Sequence, residues 1–133
     1  MDLERCVPWM KEHDVPATIR IEGFHDDHEG VRLVFSDLRH PHPVYRLMVP
    51  GCISYRRVSS GLGKASLMGE VLSPKWPFYE WKCSKWIQDL AGHDQTISIE
   101  RARHFLIVDT WQWIEVAANE MPELTDLTRS DAD

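Results

Sequence analysis

A chain of 133 residues is one ordinary domain, long enough to bury about two-thirds of its unfolded surface without covalent staples. With 43% apolar and 27% charged residues it is not a disordered segment, and no apolar run approaches the ~20 residues of a membrane-spanning helix. The net charge of -6 repels phosphate backbones and weighs against nucleic acid, whereas it suits a basic protein partner.

Three cysteines, Cys6, Cys52 and Cys83, are far apart, odd in number and outside any CxxC pair. That weighs against a disulfide framework and a structural zinc site, and fits a reducing cytoplasm. The first residues lack a basic region followed by an apolar one, so no signal peptide is expected.

In chain order, residues 1–13 read as a short helical or irregular lead-in, interrupted by Pro8, which lays Trp9 on the domain. Ala17 to Phe24 alternates, with Ala17, Ile19 and Ile21 on one side; period two is the mark of a half-buried strand. Val31 to Ser36 repeats the pattern with Val31, Leu33 and Phe35 inward. The charged run from His25 to Gly30 reads as the hairpin loop between them. Pro41 and Pro43 make a link, Val44 to Val49 is a third strand, and Pro50-Gly51 ends it. Cys52 to Val58 is a fourth, so two antiparallel hairpins are expected in the first half.

Ser59 to Lys64 reads as a connector, and Ala65 to Leu72 as a short strand. The aromatic stretch Trp76 to Cys83 fits another strand. Ser84 is a plausible N-cap for a helix from Lys85 to Ala91 closed by Gly92, with Trp86, Ile87 and Leu90 on one face. Thr96 to Ile99 is a short strand or turn. Phe105–Val108 and Trp113–Ala117 form a hairpin about the turn Asp109-Thr110-Trp111-Gln112. Residues 124–133 read as a polar tail with a frayed end. The whole is a single domain of α+β class, dominated by β. About six to eight antiparallel strands form a sandwich or a rolled sheet, with one short helix packed on it.

The chemistry is thinner. His25-Asp26-Asp27-His28 and His40-Pro41-His42 place imidazoles and carboxylates close in sequence, as zinc and related ions require. His25, His28, His40 and His42 are therefore candidate ligands if their loops converge, although this spacing matches no known ligand pattern. Ser60-Gly61-Leu62-Gly63-Lys64 lacks the spacing of a phosphate loop. Cys83 and His104 are a nucleophile and base that could meet, but no G-x-S-x-G turn exists, and seven histidines make such pairings cheap. Of the six tryptophans, Trp76, Trp86 and Trp113 are expected in the core, while Trp81 and Trp111 are expected to be partly exposed, as binding residues often are.

The second half resembles a group of small uncharacterised bacterial proteins, β-rich and immunity-like. The resemblance is carried by Lys75-Trp76-Pro77-Phe78-Tyr79, Ser84-Lys85-Trp86-Ile87, His104-Phe105-Leu106-Ile107-Val108 and Trp113-Ile114-Glu115-Val116. It covers about sixty residues and implies a compact β-rich domain of non-enzymatic type. No catalytic residue and no cofactor carry over.

The leading expectation is a protein-binding module, possible as a homodimer, that covers a basic toxin as an immunity or antitoxin protein does. Asp26, Asp27, Glu29, Trp81, Trp111 and Glu115 are its candidate contacts. The alternatives are a domain that binds a small ligand or metal, and a hydrolytic enzyme. A deep pocket lined by His104 and a carboxylate would revive the last.

Overall fold

The computed structural model describes residues 6–9, 15–16, 18–28, 30–40, 43–59, 76–82, 84–109 and 112–127. They form nine strands and one helix: β1 (Cys6–Pro8), β2 (Ile19–Asp27), β3 (Gly30–Asp37), β4 (Val44–Val49), β5 (Cys52–Ser59), β6 (Phe78–Trp81), α1 (Lys85–His93), β7 (Arg103–Val108), β8 (Gln112–Ala118) and β9 (Glu123–Asp126). Two antiparallel sheets result, one with strand order β1-β6-β7-β8-β5 and the other β2-β3-β4-β9. The β-dominated α+β class with one short helix is thus the observed one. Among the described residues no helix is long and apolar enough to cross a membrane.

One core lies between the sheets. Val31, Leu33, Phe35, Leu47 and Val49 from the second sheet meet Phe78, Phe105, Ile107, Ile114 and Val116 from the first. Phe35 stacks on Tyr45 with ring centroids 5.2 Å apart, and meets Phe78 edge-on at 5.3 Å. Trp9 joins this core against Phe78 and Phe105, as expected, but the described lead-in before it is not helical or irregular: Cys6–Pro8 is a strand held by antiparallel pairing with β6.

The connections depart from the expected pair of hairpins. β2–β3 is a hairpin, but β4 and β5 belong to different sheets. The chain turns a corner at Gly51, whose φ of +64° favours glycine, and whose carbonyl accepts from the Asn119 amide at 3.1 Å. β5 then pairs with β8, far along the chain. The segment expected to fray from residue 124 begins inside β9, which pairs with β4 and sets Leu124 opposite Leu47. Its partly buried leucine packs on the core.

The helix begins where its cap predicts. Ser84 Oγ accepts from the Ile87 amide at 3.2 Å. Gly92 does not close it: the helix runs on to His93 and is capped by Asp94, whose N–H donates to the Leu90 carbonyl. A Cβ at Gly92 would meet nothing within 4 Å, so nothing there forces a turn. The expected strand or turn at 96–99 is a turn region, and the expected strand at 65–72 lies outside the described residues.

Candidate functional sites

Two places concentrate polar chemistry. The first follows from a one-residue irregularity in β2. Ile21 pairs with Phe35 but Gly23 pairs with Val34, so Glu22 is a bulge. Beyond it the side-chain phase reverses. Ile21 and Phe24 both pack against the core, and Asp26, opposite buried Val31, comes to the core-facing side at its rim. His25, Asp26 and Asp27 are accordingly strand residues, not a hairpin loop, which shrinks to the residues between Asp27 and Gly30. Gly30 has φ +112°, a value few other residues tolerate.

Asp26 borders a cavity of about 730 Å³ at this open end, shared with His28, Val49, Cys52 and Tyr55. The Tyr55 hydroxyl donates to the Asp26 carboxylate, which raises the phenol above its ordinary range. Burial, and then the Asp26 charge, push the Cys52 thiol up to about 11. Cys52 is therefore a protonated, weakly nucleophilic group at neutral pH. Tyr55 lines the cavity, and the Phe24 ring lies 4.8 Å from its own. Asp27 also borders the cavity and grips Arg32 with two bonds of 2.9 Å.

The second place is the outer face of the larger sheet. β7 and β8 pair Leu106 with Glu115 and His104 with Ala117, so His104 lies diagonal to Glu115 on one face. β5 brings Arg56 directly opposite Glu115. His104 Nε2 is 2.8 Å from Glu115 Oε1, and His104 Nδ1 is 2.7 Å from Ser84 Oγ. Arg56 donates to both Glu115 oxygens at 3.1 and 2.9 Å, and Trp113 Nε1 donates at 3.2 Å. Ser84, His104 and Glu115 are 8%, 3% and 3% exposed. The imidazole lies flat against Trp81 at 5.3 Å and meets the edge of Trp86 at 4.9 Å; the Arg56 guanidinium sits over Trp86 at 4.3 Å.

Burial acts to raise the Glu115 pKa, but the His104 bond and the Arg56 charge outweigh it and hold the carboxyl at about 2. Ionised Glu115 is an acceptor only, so His104 Nε2 carries a proton and donates. When the imidazole is neutral its Nδ1 is an acceptor, and the Ser84 hydroxyl donates to it. Beside this chain lies a cavity of about 510 Å³, lined in part by Ser84, His104, Ile87, Ile99, Glu80 and Arg103. Arg103 holds Glu80 with two bonds of 2.7 Å. Burial works to raise Glu80, and Arg103 and Lys82 more than offset it, leaving the carboxyl below its ordinary range.

The candidate residues read from sequence divide accordingly. Asp26 and Asp27 both border one cavity, and Asp27 is committed to Arg32. Trp81 is half-buried on His104, at the other cavity. Glu115 is not a surface contact; it is buried and bonded to His104, Arg56 and Trp113. Of the tryptophans expected in the core, Trp113 is buried, while Trp76 and Trp86 are half-buried. Glu29, His42, Cys83 and Trp111 lie outside the described residues.

Of the proposed metal ligands, the described ones, His25, His28 and His40, do not converge. His28 precedes β3 and His40 follows it, and a strand of that length separates its ends by roughly 25 Å. Among the described residues no three His, Cys, Asp or Glu side chains are grouped to hold a metal ion. The Ser84–His104–Glu115 chain is not legible in the sequence, because it needs the β7–β8 register and the helix position together. The available signal was a histidine and a glutamate set among apolar residues on both faces of two paired strands. Comparisons with protein-family profiles, curated proteins and solved structures return no match to this chain.

Proposed function

We propose that this protein is a binding module for a basic protein partner, of the kind an immunity or antitoxin protein provides. The observation that supports the reading is the placement of Asp26. The β2 bulge turns its carboxylate to the open end of the sandwich, where Tyr55 holds it beside a cavity that the same tyrosine lines. A carboxylate oriented by a phenol in a cavity is the complement of a lysine or arginine side chain. The net charge of -6 would steer such a partner at low salt. An immunity role means that the bound partner loses its toxic activity.

The test is capture of partners from the native host by the tagged chain, repeated with Asp26→Lys, Asp27→Lys and the double variant. The expected result is one basic protein held by the wild type, released by Asp26→Lys and weakened by salt. Asp27→Lys should matter less, because Asp27 already neutralises Arg32. A partner retained equally by the folded Asp26→Lys variant would remove this surface from the reading. A captured protein that is not neutralised in a toxicity assay would remove the immunity role.

A further inference from the structure

On the outer face of the larger sheet a serine, a histidine and a glutamate stand in one hydrogen-bonded line, and partner binding at the Asp26 end uses none of them. Ser84 Oγ is 2.7 Å from His104 Nδ1, and His104 Nε2 is 2.8 Å from Glu115 Oε1. Arg56 and Trp113 fix the carboxylate from the far side, and Trp81 and Trp86 fix the plane of the imidazole. Ser84 and His104 both line the cavity of about 510 Å³. We propose that Ser84 is an acyl-accepting nucleophile, that His104 is its general base held by Glu115, and that the cavity takes a carboxylic ester.

The local chemistry agrees with that assignment. The Ser84 hydroxyl proton goes to His104, one oxygen lone pair accepts from the Ile87 amide, and the other is left for attack. Ser84 stands between a strand and a helix, at the positive end of the helix dipole. The first-turn N–H groups of Lys85 and Trp86, which follow Ser84 in the chain, have no acceptor within the helix. Ile87 and Ile99 give the cavity an apolar side, and the Glu80–Arg103 pair gives it a polar one.

In the reaction, Ser84 Oγ bonds to the ester carbonyl carbon as its proton passes to His104 Nδ1, and the carbonyl electron pair moves to oxygen. Collapse of this adduct breaks the bond to the alkoxy oxygen, which leaves as the alcohol with the proton from His104. Water then attacks the acyl-serine, giving its proton to His104; the carboxylic acid departs and Ser84 recovers its hydrogen. Glu115 stays ionised throughout and stabilises the transient imidazolium.

The full chain should be incubated with an alkyl fluorophosphonate across pH 5–9, with the adduct mapped by mass spectrometry, beside p-nitrophenyl acetate hydrolysis by the wild type and Ser84→Ala. The expected result is one adduct, on Ser84, whose rate is higher at the alkaline end of that range than at the acid end. It should fall by roughly 100-fold in His104→Gln. Ester hydrolysis above the Ser84→Ala background should accompany it. Because His104→Gln can lose its fold, the pH profile of the wild type is the independent readout of the base. Folded wild type with no adduct on Ser84, or an adduct whose rate ignores pH, overturns the proposal, as does hydrolysis equal to that of Ser84→Ala.

Discussion

At Glu115, four N–H donors from three side chains converge on one carboxylate. A buried charge of this kind is tolerable only because every partner is in place. Its carboxyl, held at about 2 against an ordinary 4.5, ties it to acid stability. The depressed value means that the contribution is complete above about pH 4.5 and disappears as pH falls towards 2. We expect a loss of about 2 kcal/mol over that range, after allowance for the solvent that reaches Arg56. Urea titrations of the wild type should show this slope, and Glu115→Gln should flatten it while lowering stability at pH 7. An acid limb unchanged in a folded Glu115→Gln protein would show that other carboxylates, such as Glu80, carry the effect.

Single elements are held by equally local chemistry. In the β7–β8 turn, Asp109 accepts from the Gln112 amide at 2.8 Å, and its other oxygen accepts from the Ile21 amide of β2 at 3.0 Å. One side chain thus closes a turn in one sheet and ties it to a strand of the other. Asp109→Ala is expected to cost about 2 kcal/mol by leaving both amides short of an acceptor, and Asp109→Asn about half of that. Chemical denaturation of the two variants against wild type measures the difference. At the corner between the sheets, Gly51→Ala is expected to lower stability by about 1 kcal/mol, from the left-handed φ. The added Cβ would lie 3.1 Å from the Glu120 carboxylate, the movable end of a long side chain, so φ and not crowding should dominate. A Tm equal to that of wild type would show that the corner relaxes without strain.

Across the whole molecule, stability rests on two sheets closed over one core, and the last strand completes the smaller of them. β9 covers the edge of β4 and places Leu124 on the core. A chain ended at Pro122 should therefore lose about 2 kcal/mol of buried apolar contact, and it should expose the backbone of β4. Exposed strand edges recruit one another. Size-exclusion chromatography across concentrations should then show association of the shortened chain beyond that of the full one. Equal stability and equal elution would mean that β9 contributes neither packing nor edge protection.

The sequence by itself determined the local pieces. Alternation in Val31–Phe35 placed those side chains inward, proline and glycine bounded β4, and the serine before Lys85 capped the helix, because each signal is read from neighbours in the chain. Tertiary structure alone decided which strands meet. The pairing of β5 with β8 joins residues about sixty apart, and no nearest-neighbour pattern encodes it. The bulge at Glu22 is a pairing irregularity, so the phase of Asp26 was invisible until β3 lay beside β2. The same reason hid the Ser84–His104–Glu115 chain: its members come from a helix cap and two strands, and only register and packing set them within bonding distance.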